Sequence, residues 1–323
     1  MKISFVIPCY RSENTIRAVV KEIIDTVAQR GDDYEVIMVS DSSPDNVYSV
    51  IGEMCAENPK LKGVEFAKNF GQHSALMAGY GFCTGDVTVS VDDDGQIPVD
   101  EVYKLIDKLD EGYDVVYGTY ASKKHSAFRN FGSRVNDKMA EALVGKPKNI
   151  RVTSFFAARA FVIREIVRYD KAYPYVLGLI LRTTQRIANV PVNHRARTDG
   201  ESGYTFKKLI ALWMNGFTAF SVKPLRIATV IGCLCAVLGF GYGVYIVINR
   251  LFINPDVPAG YSSIMAALLF ISGIIMVLLG LIGEYIGRIY ISLNNSPQYV
   301  IRTTVNTDNS ERTEEKGKDD EAV

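Results

Sequence analysis

Three consecutive aspartates, Asp92-Asp93-Asp94, close the apolar run Asp86–Val91 and lead into Gly95-Gln96-Ile97-Pro98. Carboxylates at i and i+2 of such a turn converge, so Asp92 and Asp94 can hold one Mg²⁺ or Mn²⁺, hard cations that also take phosphate oxygens. A cation there would neutralise the charge that grows on a departing diphosphate. Asp93, between them, is expected on the other side of the strand end. A second polar turn, Ser40-Asp41-Ser42-Ser43-Pro44-Asp45, follows the apolar run Tyr34–Val39. An acidic triplet alone also reads as a solvated loop; the elements around it decide.

Those elements alternate. Apolar runs at Lys2–Pro8, Tyr34–Val39, Gly63–Ala67, Asp86–Val91 and Asp114–Gly118 read as buried strands. Between them, Ser12–Ala28, Val47–Glu57, His73–Phe82 and Val99–Asp110 read as helices. The alternation predicts an α/β domain with a parallel sheet and helices on both faces, whose ligands sit at the C-terminal strand ends. Both acidic turns fall there. Phe128–Leu143 reads as an amphipathic helix with Arg129, Arg134 and Lys138 on its polar side.

The remaining third is different. The 323 residues carry 36 basic and 36 acidic side chains, a formal net charge of zero that removes any global argument for nucleic-acid binding. With 48% hydrophobic and 22% charged residues a disordered chain is excluded. The apolar residues are concentrated late: Ile227–Ile248 and Ile264–Gly283 hold no charge. Runs of about 20 residues cross a hydrocarbon core of about 30 Å. The connection Asn249–Ser263 contains Pro255, Pro258 and Gly260, so a two-span hairpin is expected. Lys207, Lys208, Lys223 and Arg226 precede it, Arg288 and Arg302 follow, and the loop has Arg250 against Asp256. The positive-inside rule then places both termini and the α/β domain in the cytoplasm, on the inner membrane. The apolar start Met1–Pro8 is too short for a signal peptide. The expected division is a domain over 1–204, an interfacial amphipathic helix over 205–224, and two transmembrane helices within 225–290, about 227–248 and 264–285. The tail, 291–323, is expected to be cytoplasmic and disordered at its end. Cys9, Cys55, Cys83, Cys233 and Cys235 have no zinc spacing and read as small apolar fillers. Gly232, Gly239, Gly243, Gly273 and Gly280 would let the hairpin pack against a second copy, a homo-oligomer.

Several stretches resemble known proteins. Val6-Ile7-Pro8-Cys9-Tyr10 with Glu13 and Asn14, Val39–Asp45, and the Asp92-x-Asp94 pair are similar to family 2 glycosyltransferases. Asn69-Phe70-Gly71-Gln72-His73 with Ala75, Leu76 and Gly79, then Arg197–Tyr204, narrow the match. So does Pro224-Leu225-Arg226 before a hairpin ending Gly283-Glu284-Tyr285-Ile286-Gly287-Arg288-Ile289-Tyr290. Together these resemble the polyprenyl-phosphate branch, with its dolichyl-phosphate mannose synthases and bacterial undecaprenyl-phosphate glycosyltransferases, over residues 1–302.

The resemblance implies a GT-A (Rossmann-like) fold and inverting transfer of a sugar from a nucleotide sugar, a UDP sugar by expectation, to a polyprenyl phosphate such as undecaprenyl phosphate. It puts Pro8, Tyr10, Glu13, Asp41, Asp92 and Gln96 at the nucleotide, and Asp92 and Asp94 on Mg²⁺ or Mn²⁺. It puts Arg129, Ser133, Arg197 and Ser202 at the acceptor phosphate, and so makes Asp92, Asp94, Arg129, Ser133 and Arg197 the catalytic set. The guanidinium fork matches phosphate oxygens in a bidentate way. The chain departs from the pattern in four places: Ser40 replaces a usual aspartate, Thr119-Tyr120 a frequent arginine with Lys123 or Lys124 nearby, Gly203 a frequent lysine, and Thr153–Ala158 lacks the usual acid before Arg159. A phosphate monoester is already largely dianionic at neutral pH, with a second pKa near about 6, so its attack needs placement more than proton removal. The missing acid is therefore expected to bear on donor choice. A catalytically inactive nucleotide-sugar-binding scaffold is the alternative from another class. A polysaccharide synthase would need a Gln-x-x-Arg-Trp motif, and the only tryptophan is Trp213 in Leu212-Trp213-Met214. Gly79-Tyr80-Gly81-Phe82-Cys83-Thr84-Gly85 has the wrong spacing and place for a dinucleotide fingerprint.

Overall fold

The computed structural model describes residues 1–120, 146–193, 260–293 and 296–307, with isolated positions between them. Arg129, Ser133, Arg197 and Ser202, the helix expected at 205–224 and nearly all of 227–248 lie outside the described residues. The chain divides into two units, Met1–Tyr204 with Ser296–Val323, and Thr205–Asn295.

In the first unit the described strands are β1 (Lys2–Cys9), β2 (Asp33–Ser40), β3 (Leu61–Phe66), β4 (Val87–Ser90), β5 (Val115–Tyr120), β6 (Phe156–Arg159), β7 (Ile187–Val192) and β8 (Ile301–Val305). The helices are α1 (Ile16–Arg30), α2 (Val47–Glu57), α3 (Gln72–Tyr80), α4 (Val102–Asp110), α5 (Ala160–Val167) and α6 (Val176–Thr183). The sheet order is β7-β5-β6-β4-β1-β2-β3-β8. The central strands β4, β1, β2 and β3 are parallel, as are β5 and β7.

The five expected strands run parallel to one another, and two strands that were not expected join them in the opposite sense. β6 runs antiparallel between β4 and β5, and β8 runs antiparallel along β3. The reversal at β6 has a functional consequence. Ser90 pairs with Phe156, so the residues entering β6 arrive beside the C-terminal end of β4.

Local sequence explains the elements. All of β1 after Lys2 is buried, which is why it is apolar without alternation. Helix α1 buries Ile16, Val19, Val20, Ile23, Thr26 and Val27, one stripe at helical spacing, and ends at Gly31 with φ 68. The core joins β1 through Ile3, Phe5 and Ile7 to the inner faces of α1, α2 and α4. On the other face α3 packs on β1 and β2 and touches α5 and α6. A Cβ on Gly79 of α3 would lie 2.4 Å from Val6 Cγ1, so the helix approaches the sheet only because this residue is glycine.

At the end of the strands away from both acidic turns, Glu35 is buried at 2% exposure among ladder neighbours. Its carboxylate accepts from Ser4 Oγ at 2.6 Å, Thr84 N at 2.6 Å and Lys62 Nζ at 2.8 Å. Burial alone would raise its pKa. The hydrogen bonds from Lys62, Ser4 and Thr84 outweigh burial and hold it at about 2.

In the second unit, α7 (Tyr261–Leu293) is one continuous helix of 33 residues. Over the positions whose side chains are described, no helix is long and apolar enough to cross a membrane. The sequence within α7 from Ile264 to Gly283 nevertheless holds no charge, and Leu268, Ile271, Ile275, Met276 and Leu279 are exposed.

Candidate active site at the strand ends

The C-terminal ends of β1, β2 and β4 open on one edge of the sheet, and both acidic turns are there. Asp41, the residue after β2, is almost fully buried. Its amide donates to Cys9 O at 3.1 Å. Its carboxylate accepts one backbone N–H on each oxygen, Phe70 N to Oδ1 at 2.7 Å and Gly71 N to Oδ2 at 2.8 Å. Gly71 has φ 89, and only glycine turns the chain this way without strain. Burial raises the Asp41 pKa and the two amides oppose it.

At the end of β4 the three aspartates diverge. Asp92 is partly buried and accepts from Gln72 Nε2 at 3.1 Å on Oδ1 and from Ser154 Oγ on Oδ2. Its pKa is pushed up to about 6, chiefly by burial and further by the charges of Asp94 and Asp93. Asp94 accepts the amide of Gln96 at 3.0 Å, a tight turn that needs Gly95 at φ 70. Asp93 turns toward β1, where its Oδ2 accepts Tyr10 N at 2.9 Å. Its carbonyl accepts Thr15 Oγ1 at 2.6 Å. Asp93 therefore ties the loop after β1 to the loop after β4, while Asp92 and Asp94 remain the pair that could share a cation.

Tyr10 is exposed just past β1, and Pro8 is buried within β1 opposite Val39. Glu13 is half-buried and engaged: its Oε2 accepts Asn46 N at 2.9 Å, while its own amide donates to Asp45 Oδ2 at 3.0 Å. Ser43 Oγ accepts Arg11 N at 2.7 Å and donates to Asp45 Oδ1 at 2.5 Å. This lattice holds two non-glycine residues in the left-handed region, Arg11 at φ 58 and Ser42 at φ 50. Such conformations cost about 1–2 kcal/mol each and persist where the surroundings over-determine them.

Four contributors were not assigned from sequence. Ser154 reaches Asp92 from 62 positions away in the chain; the antiparallel β6 delivers it. Gln72, visible only as part of a motif, opens α3 and reaches back to Asp92. Residues 69–72 thus touch both acidic turns, through Phe70 and Gly71 on Asp41 and Gln72 on Asp92. Tyr120, the last residue of β5, has its pKa pushed up to about 12 by burial and by the charges of Asp92 and Asp94, so it is a phenol at the acidic pair. Thr153, in the segment that lacks the usual acid, places Oγ1 2.8 Å from Gly118 O and 2.9 Å from Phe155 O.

The donor set suits a hard divalent cation. Asp92 is held at a high pKa by burial beside like charges, a situation a cation relieves. Among the described residues no three acidic, histidine or cysteine side chains form a cage. A two-carboxylate hold fits a cation that completes its shell with water and substrate phosphate.

Comparison with known proteins agrees with this geometry. Residues 4–167 match the model for glycosyl transferase family 2, and residues 223–289 match the GtrB C-terminal hairpin. The chain is 32% identical over 306 residues to an undecaprenyl-phosphate 4-deoxy-4-formamido-L-arabinose transferase of Klebsiella pneumoniae (strain 342), covering 94% of each chain. It is 33% identical over 307 residues to the transferase of the same name from Enterobacter sp. (strain 638), again over 94% of each. Among solved structures, glucosyl-3-phosphoglycerate synthase from Mycobacterium tuberculosis, in complex with Mn²⁺, UDP and phosphoglyceric acid, shares the fold. The TM-score is 0.50 at 22% identity, over 65% of this chain and 74% of that one. Mannosyl-3-phosphoglycerate synthase from Rubrobacter xylanophilus gives a TM-score of 0.53 at 14% identity, over 70% and 74%. With the sheet, the acidic turns and the hairpin all accounted for, the chain belongs to glycosyl transferase family 2.

Proposed function

We propose that this protein moves a sugar from a nucleotide sugar to undecaprenyl phosphate, with inversion, at the cytoplasmic face of a bacterial inner membrane. The observation that carries the reading is the juxtaposition of Asp41 with the Asp92/Asp94 pair across the 69–72 loop, in a chain similar over 94% of its length to undecaprenyl-phosphate transferases. The nucleoside lies toward Tyr10 and Asp41, and the diphosphate toward Asp92, Asp94 and Gln96. Asp92 and Asp94 would hold Mg²⁺ or Mn²⁺, which would supply charge neutralisation for the leaving diphosphate. Tyr120, at the end of β5 and kept protonated by burial and the charges of Asp92 and Asp94, would present a neutral phenol on that side of the site.

The acceptor oxygen is anionic before reaction and needs no base, consistent with a hydroxyl at Thr153. Arg129, Ser133, Arg197 and Ser202, which the family pattern puts at the acceptor phosphate, lie outside the described residues. Helices at about 227–248 and 264–285 form the membrane hairpin; the uncharged sequence and exposed aliphatic side chains of α7 support this. The test is transfer by the purified full-length protein from a panel of nucleotide sugars to undecaprenyl phosphate, with Mn²⁺ or with chelator. Metal-dependent formation of a glycosyl-phospholipid is expected from at least one donor, and none from any donor would overturn the reading.

A further inference from the structure

The chain beyond the hairpin returns to the active-site domain and grips it at several points. Gln298 is buried, and its Nε2 donates to Tyr169 O and Lys171 O, both at 3.1 Å. Val300 O accepts Ala67 N at 2.9 Å, and β8 then runs along β3. Asn306 Nδ2 closes the segment on Cys55 O at 2.6 Å and Leu61 O at 3.0 Å.

Between these anchors stands Tyr299. Its ring stacks on Phe66, with centroids 5.3 Å apart and planes at 7°. Phe66 is fully buried at the end of β3 and meets Phe70 edge-on at 5.6 Å and 86°. The amide of Phe70 is one of the two that hold the Asp41 carboxylate. Three rings therefore run from the segment after the hairpin to the loop that touches both acidic turns. The loop is also held by its own ends, where Gly71 O accepts Ser74 N at 3.0 Å and Ala75 N at 3.1 Å, and Lys68 Nζ lies 5.0 Å from the Phe70 ring; Phe66 is the buried ring that Phe70 meets edge-on.

We propose that Tyr299 is a positioning residue for the nucleoside diphosphate site, acting through Phe66 and Phe70 to set the amides of residues 70 and 71 against Asp41. The inference rests on the reading of Asp41 as a nucleotide-site group. A lone strand would have served to cover the edge of β3. A stacked tyrosine placed before that strand does something further, because it fixes the direction in which the chain leaves Phe66. Aromatic pairs of this kind contribute about 0.5–1.5 kcal/mol beyond their burial, which converts to about threefold to tenfold in an equilibrium constant. That factor is the size of effect expected on nucleotide affinity when the ring is removed.

The experiment uses the full-length protein in detergent with Mn²⁺, titrated with UDP, GDP and CDP, and follows the nucleotide that wild type binds best. Tyr299→Leu should weaken that nucleotide about threefold to tenfold and raise the donor KM by the same factor, with kcat unchanged. Tyr299→Phe, which keeps the ring, should restore both. A merely structural role would lower the melting temperature and the active fraction without moving KM. Should Tyr299→Leu not fold, Tyr299→Met answers the same question. Asp41→Asn separates the two layers of the reading: it should lose nucleotide binding. Wild-type affinity in Tyr299→Leu beside loss in Asp41→Asn overturns the positioning role and leaves the nucleotide site standing. Wild-type affinity in Asp41→Asn, or no nucleotide binding by wild type, removes the site reading and the role of Tyr299 with it.

Discussion

Replacing Asp92 with asparagine should stabilise the metal-free protein while removing its activity. In the fold this carboxyl has its pKa raised from 3.8 to about 6. At about 1.4 kcal/mol per tenfold change in proton affinity, that corresponds to about 3 kcal/mol against the charged form. Partial solvent access reduces it, leaving about 1–3 kcal/mol. The sign follows from the folded value lying above the unfolded one. The penalty is absent below about pH 4, grows between 4 and 6, and is complete above 6. Asparagine keeps both local contacts, since its oxygen can accept Gln72 Nε2 and its amide can donate to Ser154 Oγ. With chelator at pH 7.5 the variant should therefore melt several degrees above wild type, and the gap should close near pH 4. Mn²⁺ should raise the wild-type melting temperature and leave the variant's nearly unmoved, and sugar transfer should fall by orders of magnitude. A variant that melts at or below wild type in chelator at pH 7.5 would refute the idea that Asp92 is a strained charge awaiting a cation.

Three further outcomes are expected. Glu35 binds its proton far more weakly in the fold than its ordinary 4.5, at about 2. Its depressed pKa contributes up to about 3 kcal/mol that is present above pH 4.5 and lost as pH falls toward 2; Glu35→Gln should flatten the acid limb of stability against pH, and an unchanged limb would contradict it. Thr153→Asp, which puts an acid into that segment, would point a carboxylate at the carbonyls that the hydroxyl now faces. It should cost about 1–3 kcal/mol and accelerate transfer from no donor; equal stability by thermal melt, or a gain in turnover, would count against it. Arg197→Ala should weaken polyprenyl phosphate by about 1.5–3 kcal/mol and spare the nucleotide, with lysine restoring only part; paired titrations with donor and a short-chain acceptor distinguish this from a diphosphate contact.

The parts legible in the sequence are those where burial wrote a long pattern. β1 and β2 are eight residues each and buried almost throughout, and α1 carries an unbroken stripe. The acidic turns were legible because they follow such strands. β6 was not: Phe156–Arg159 is four residues, apolar on both sides, and indistinguishable from the helix that follows. Its reversal, and hence the meeting of Ser154 with Asp92, depends on pairing with two strands far away in sequence. β8 was hidden for the opposite reason. Ile301–Val305 leaves Arg302 and Thr303 exposed and merges into a charged tail, so its composition reads as solvated chain. That Asp93 turns away from Asp92 and Asp94 was legible, but its partner and that of Glu13 were not, because which amide a carboxylate accepts is set by loops from other elements.

The return of residues 296–307 to the sheet makes the catalytic domain discontinuous along the chain. A ribosome releases the chain in one direction, so the edge of β3 away from β2 must wait, with its backbone donors and acceptors unpaired, until the hairpin and then Ile301–Val305 have been made. During that interval the domain has an open edge that invites pairing with a neighbour. The same order predicts the behaviour of a fragment cut at residue 204 to obtain a soluble enzyme. It would keep Asp41, Asp92 and Asp94 yet lack the strand that closes β3 and the ring that covers Phe66, and it should self-associate through that edge.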